Sequence, residues 1–109
     1  MEQSFFSRLV EKTKEGECFW EEMGTGSYRL ILKKGGVVFE YGYDSMVENY
    51  HYSIKLYDTT ENFASYSVDY EDNYDEGLFH VLNELRETIE SRKKAIIDAK
   101  IKLLYDELA

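Results

Sequence analysis

From about residue 75 to residue 108 the apolar residues fall at helical spacing, in a run longer than a chain of this size can easily cover. Leu78, Leu82, Leu85, Ile89, Ile96, Ala99 and Leu103 follow a heptad-like seam that Arg92 interrupts once. A second stripe of Ile97, Ile101, Leu104 and Leu108 begins where the first weakens. One unbroken helix of this span would measure about 50 Å at about 1.5 Å per residue. A domain of this size is roughly 34 Å across, taking a radius of gyration of about 13 Å. Two arrangements meet that constraint. Either the helix breaks near residues 90–92, where Ser91 would cap a second helix that packs back, or its C-terminal half projects. A projecting half with apolar stripes needs a partner, most simply a second copy. Ile96, Ile97, Ile101, Leu104 and Leu108 would then form the dimer interface.

Upstream the period is different. Residues 4–14 put Phe5, Phe6, Leu9 and Val10 on one side with Thr13 continuing the stripe, which predicts a short amphipathic helix. Ser4 is its expected N-cap and Gly16 its C-terminal stop. After Gly16 alternation takes over, and strands are expected at 17–23, 27–33, 37–43, 49–58 and 63–70. Tyr28, Leu30 and Leu32 share one face of the second strand. Val37, Phe39, Tyr41 and Tyr43 share a face of the third, and Tyr50, Tyr52, Ile54 and Leu56 a face of the fourth. Lys34-Gly35-Gly36 and Thr59-Thr60-Glu61-Asn62 read as tight connections, which favours an antiparallel meander. With no proline and no Ser/Gly-rich linker, residues 1–109 read as a single domain. The expected fold class is α+β: a short N-terminal helix within 1–16, a sheet of about five strands within 17–70, and a helix or helix pair over 74–108 packed on one sheet face.

Leu9-x-x-Lys12-Thr13-x-x-Gly16-x-x-x-Trp20 resembles the opening of a group of small bacterial and phage α+β proteins. In that group a short helix ending in Lys-Thr leads through a glycine to a strand bearing a tryptophan, and a meander and a helix follow. The resemblance implies an α+β fold and a bacterial or phage context, and it implies no reaction. The same residues have an architectural reading. Lys12 and Thr13 finish the helix, Gly16 turns the chain, and Trp20 buries apolar area against the long helix.

Charge is confined to one region. Residues 37–76 hold ten acids and one base, Lys55, together with eight of the ten tyrosines. The rest of the chain is balanced, so the whole net charge of −9 sits in that segment. An acidic, tyrosine-studded sheet face would suit a basic partner protein, because complementary charge speeds encounter and tyrosine gives contact area at low entropic cost. The expected contact residues are Glu40, Tyr43, Asp44, Glu48, Asp69, Tyr70, Glu71, Asp72, Tyr74, Asp75 and Glu76. Inhibitors and immunity proteins that occupy basic partners use this logic. The bland alternative is a solvated acidic surface with half-buried tyrosines. A different class of reading is a small homodimer enclosing an apolar pocket for a small ligand.

The same composition disfavours direct nucleic-acid binding, which draws its affinity from cations on phosphates. No apolar run approaches the roughly 18 residues of a membrane span, and the N-terminus lacks the pattern of a signal peptide. A single cysteine, Cys18, allows no intrachain disulfide, which fits a cytoplasmic location.

No catalytic motif is visible, so the expectation is a non-enzyme without cofactor. Cys18 with His51 or His80 could form a nucleophile–base pair, but the flanking signatures are missing. The run from Asp69 to Gly77 has oxygen ligands at alternate positions, yet Tyr74 stands where a calcium loop needs glycine and His80 where it needs glutamate. Asn73 or Asp75 reads instead as a helix cap. One cysteine and two distant histidines do not make a zinc site, and no metal is expected.

Overall fold

The structure, a computed structural model, describes residues 2–69 and 76–109. Within them the chain runs α1 (Glu2–Lys14), β1 (Glu21–Gly24), β2 (Ser27–Leu32), β3 (Gly35–Asp44), β4 (Asn49–Tyr57), β5 (Asn62–Asp69) and α2 (Glu76–Leu108). The strands form one antiparallel sheet in the order β1-β2-β3-β4-β5, as short connections between alternating segments dictate. This is the α+β fold that the two periods predict.

Alternation sorts the sheet into two faces. Tyr28, Phe39, Ile54 and Tyr66 lie in register across β2–β5, as do Tyr41, Tyr52 and Val68 across β3–β5. This inner face meets Phe6, Leu9 and Val10 of α1 and Leu78, Val81, Leu82, Leu85 and Ile89 of α2 in one core. The other face carries polar groups along one row, Ser27, Glu40, Ser53 and Ser67, and isolated apolar side chains in others, among them Val38 and Ile31.

Two boundary expectations are corrected. α1 begins at Glu2, so Ser4 lies inside the helix and not at its cap, and the apolar stripe fits an earlier start. β1 begins at Glu21, not at residue 17, because residues 17–20 serve the end of α1. Gly16 N–H bonds Thr13 O at 3.1 Å and Glu17 N–H bonds Lys12 O at 3.0 Å, the paired bonds of a Schellman stop. Gly16 supplies the positive φ of 79° that this stop requires. The chain then returns along α1. Trp20 Nε1 donates to Thr13 Oγ1 at 3.0 Å, and the buried Thr13 hydroxyl donates to Leu9 O at 2.7 Å. Leu9, Lys12, Thr13, Gly16 and Trp20 thus work as one corner.

Of the two arrangements open to α2, the structure takes the unbroken one. The helix runs 33 residues, with no proline and no glycine after Gly77 to interrupt it. It crosses the inner face from β4 toward β1. Phe79 packs on Tyr52 at 5.5 Å, the Arg86 guanidinium lies 3.9 Å from the Tyr50 ring centre, and Lys93 pairs with Glu22 on β1. Beyond that edge the sheet ends and the helix continues, every residue from Ser91 to Leu108 being exposed. The molecule measures 54 × 38 × 22 Å with a radius of gyration of 15.7 Å, against about 13 Å for a compact chain of this length. Arg92, the interruption of the apolar seam, sits where the helix leaves the core. Its Nη1 donates to Lys14 O at 3.1 Å, satisfying a carbonyl left open at the end of α1.

Candidate interaction surface

The exposed half of α2 forms an arm. Ile96, Ile97, Ile101, Leu104 and Leu108 are from 45% (Ile97) to 87% (Leu108) exposed, and Leu103 and Tyr105 widen the apolar face. All five residues expected at a dimer interface therefore lie together on one projecting element.

At the root of the arm is a groove of about 300 Å3 whose lining is mostly apolar. The α1–β1 connection forms one wall, with Cys18, Phe19 and Trp20; α2 forms the other, with Ile89, Ile96 and Ile97. Phe19 is 84% exposed, an aromatic ring that the single chain leaves in solvent. The groove is closed at one side by the ion pair of Lys93 with Glu22, whose carboxylate also accepts from Tyr28 OH at 3.2 Å. The Lys93 ammonium, then the Tyr28 hydroxyl, holds the Glu22 carboxyl below its usual value, and Glu22 in turn raises Lys93. Phe19, Trp20, Glu22 and Lys93 were not legible as a group. They come from three elements, and only Trp20 carried any signal in the sequence.

The tyrosines separate from the acids. Tyr41, Tyr50, Tyr52 and Tyr66 belong to the inner face; the first three line the seam beneath α2, and Tyr66 packs on Phe6 of α1 at 5.5 Å. Tyr52 OH donates to Asn83 Oδ1 at 2.5 Å and accepts from Arg86 Nε at 2.9 Å, while Tyr41 OH donates to Glu90 Oε1 at 3.0 Å. Burial, reinforced by Tyr28 and Glu90, pushes the Tyr41 phenol far above its ordinary range. Burial also raises Tyr52, with Arg86 pulling the other way. Arg86, Asn83 and Glu90 escape a sequence reading because an Arg–Glu pair four residues apart on a helix ordinarily marks a solvated face. Here Arg86 is 9% exposed and bonded to Glu90 Oε2 at 2.9 Å.

Glu40 points from the outer face, opposite to Tyr41, and so does not share a surface with the tyrosine seam. Of the expected contact residues, Tyr43 is 56% exposed and leans its ring on Tyr50 at 5.2 Å, at the open end of the inner face. Asp44 and Glu48 flank the β3–β4 turn, and Asp69 ends β5 at the same end of the sheet, in register with His51. All four acids are exposed. Tyr70, Glu71, Asp72, Tyr74 and Asp75 lie outside the described residues, as does the Glu76 side chain, and with them the calcium-loop comparison and the expected caps Asn73 and Asp75.

The nucleophile–base pairing finds no support in the geometry. Cys18 lines the groove, whose lining contains no histidine. His51 lies on the outer face with its ring over Gly42, and His80 is an exposed residue of α2 that meets Phe79. Among the described residues no three His, Cys, Asp or Glu side chains stand close enough to hold a metal ion, and no helix is long and apolar enough to cross a membrane. Comparison with family models, curated proteins and solved structures returns no match for this chain.

Proposed function

We propose that this chain is a non-enzymatic protein-interaction module that associates with a second copy of itself through the arm of α2. The observation that carries this reading is the unbroken helix whose outer half exposes two apolar stripes. Exposed apolar surface of that extent on a single element is characteristic of an interface. The groove at its root is the pocket that such a dimer would enclose. Light scattering coupled to gel filtration tests the reading. The wild-type chain should show twice the chain mass, and Ile97→Glu with Leu104→Glu should be monomeric with an unchanged circular dichroism spectrum. A wild-type particle that stays monomeric at the highest attainable concentration removes the reading.

A second surface supports the acidic expectation in a narrower form. Asp44, Glu48 and Asp69 lie at one end of the sheet, Glu40 is on the outer face, and Glu71, Asp72, Asp75 and Glu76 follow shortly in sequence. This end of the molecule would engage a basic partner protein by charge, without the buried tyrosines. Replacing Asp44, Glu48 and Asp69 with lysine should slow association with such a partner while the chain stays folded, with a modest loss of thermal stability because Asp44 Oδ1 accepts from Met46 N–H at 2.9 Å in the β3–β4 turn. Unaltered association rates at low salt would count against it.

A further inference from the structure

Building on the self-association proposed above, we infer that the two arms pair antiparallel, so that Leu104 and Leu108 at the tip of each α2 close the groove beside Trp20 at the root of the other. Three observations lead to this arrangement.

The arm is electrically polar along its length. Arg92, Lys93 and Lys94 stand at its root, Asp98, Lys100 and Lys102 along its middle, and Asp106 and Glu107 at its tip. Glu22 offsets one of the three root charges and leaves the root basic. Antiparallel pairing sets each root against the partner's acidic tip. Parallel pairing sets like charge against like, and crowds α1 and β1 of both copies at one end.

Surface area points the same way. From Arg92 to Leu108 the helix is about 25 Å long and about 10–12 Å wide, so one side of it offers roughly 400 Å2. Arm against arm then buries roughly 800 Å2 in total, short of the about 1,200 Å2 at which specific interfaces begin. Closing both grooves adds the exposed ring of Phe19 and the walls beside Trp20 on each copy. A parallel pair leaves both grooves open and stays short of that threshold.

The third observation is continuity. Ile96 and Ile97 belong to the groove and to the arm, so the apolar surface runs unbroken from one into the other. Full overlap of two such arms places a two-fold axis near residue 100 and each tip over the opposite root.

Cys18 is the single cysteine and lines the groove, which makes the orientation testable by cross-linking. Leu104→Cys, Tyr105→Cys and Leu108→Cys are introduced one at a time, with Cys18 retained and again with Cys18→Ala, and the purified proteins are mildly oxidised. All the new positions are exposed, so the fold should tolerate them. The expected result is a covalent dimer joined from Cys18 to the tip cysteine, located by peptide mass spectrometry, and none from Leu108→Cys in the Cys18→Ala background. Dimers formed between two copies of residue 108 overturn the antiparallel arrangement and leave self-association standing. A dimer by light scattering that never cross-links through Cys18 also overturns it. A monomer overturns self-association itself. Charge reversal gives a second reading: Glu107 lies on the same side of α2 as the apolar stripes, so Glu107→Lys should weaken the dimer several-fold by facing the partner's basic root, and an undiminished dimer counts against the root-to-tip pairing.

Discussion

Replacing Arg86 with methionine tests how the tyrosine-lined seam holds α2 on the sheet. Arg86 donates to Tyr52 OH at 2.9 Å, to Glu90 Oε2 at 2.9 Å and to Asn83 Oδ1 at 3.3 Å, and it covers the Tyr50 ring at 3.9 Å. These contacts are not equal. The Glu90 side chain is 43% exposed, so solvent screens its ion pair to under about 1 kcal/mol. The guanidinium over the partly desolvated Tyr50 ring contributes about 1 kcal/mol. The charged hydrogen bond to the buried Tyr52 oxygen contributes about 1.5 kcal/mol, and its loss is softened because Tyr52 keeps Asn83 as acceptor. Methionine retains most of the apolar stem, and removing a desolvated charge returns part of the loss. The net destabilisation should be about 2 kcal/mol. For a domain of this length that corresponds to a fall in Tm of roughly 8–10 °C. Urea unfolding and thermal melts should be run at one protein concentration, since self-association makes Tm concentration-dependent. Glu90→Gln should cost less than about 1 kcal/mol by the same screening argument. A methionine variant as stable as wild type would refute the reasoning; aromatic packing alone would then hold the seam, with the buried charge a net burden.

Two further predictions concern the root of the arm. Thr13→Val removes the acceptor of Trp20 Nε1 and should destabilise by about 1–2 kcal/mol, with a shift in tryptophan emission; unchanged emission would mean that Trp20 is held by packing alone. The Glu22 carboxyl is held below its ordinary 4.5 by Lys93 and then Tyr28, so its contribution is fully present above that value and is lost as pH falls through the lowered folded value. Glu22→Gln should therefore lower stability modestly at neutral pH, where the ionised carboxylate pairs with Lys93, and converge on wild type once pH falls below the lowered folded value; a stability–pH curve identical in shape to wild type would refute the assignment.

The fold was largely legible because periodicity is a local property. Strand faces follow from alternation, and Phe39, Tyr52 and Ile54 fall on the buried side as their spacing requires. The corner at Gly16 was legible for the same reason, since a Schellman stop involves only neighbouring residues. Arg86 and the Glu22–Lys93 pair were not, because each gains its meaning from a residue many positions away on another element. Charge counted along the chain also misleads about surfaces. Glu40 and Tyr41 are adjacent in sequence and face opposite ways, so a segment rich in both acids and tyrosines does not make a face rich in both.

What the sequence by itself determined is the set of elements, which residues share a face of each strand and the span of the C-terminal helical region, since these rest on spacing within a few turns or strands. Whether α2 would break or project was left open, because both arrangements satisfy the same pattern. Only the tertiary structure decided it. The sheet is narrower than the helix is long, α2 leaves the core at the β1 edge, and Arg92 marks the exit by turning to Lys14 of α1. Beyond that point the apolar stripes have no sheet beneath them, and the surface they expose follows from the width of the sheet as much as from their own residues.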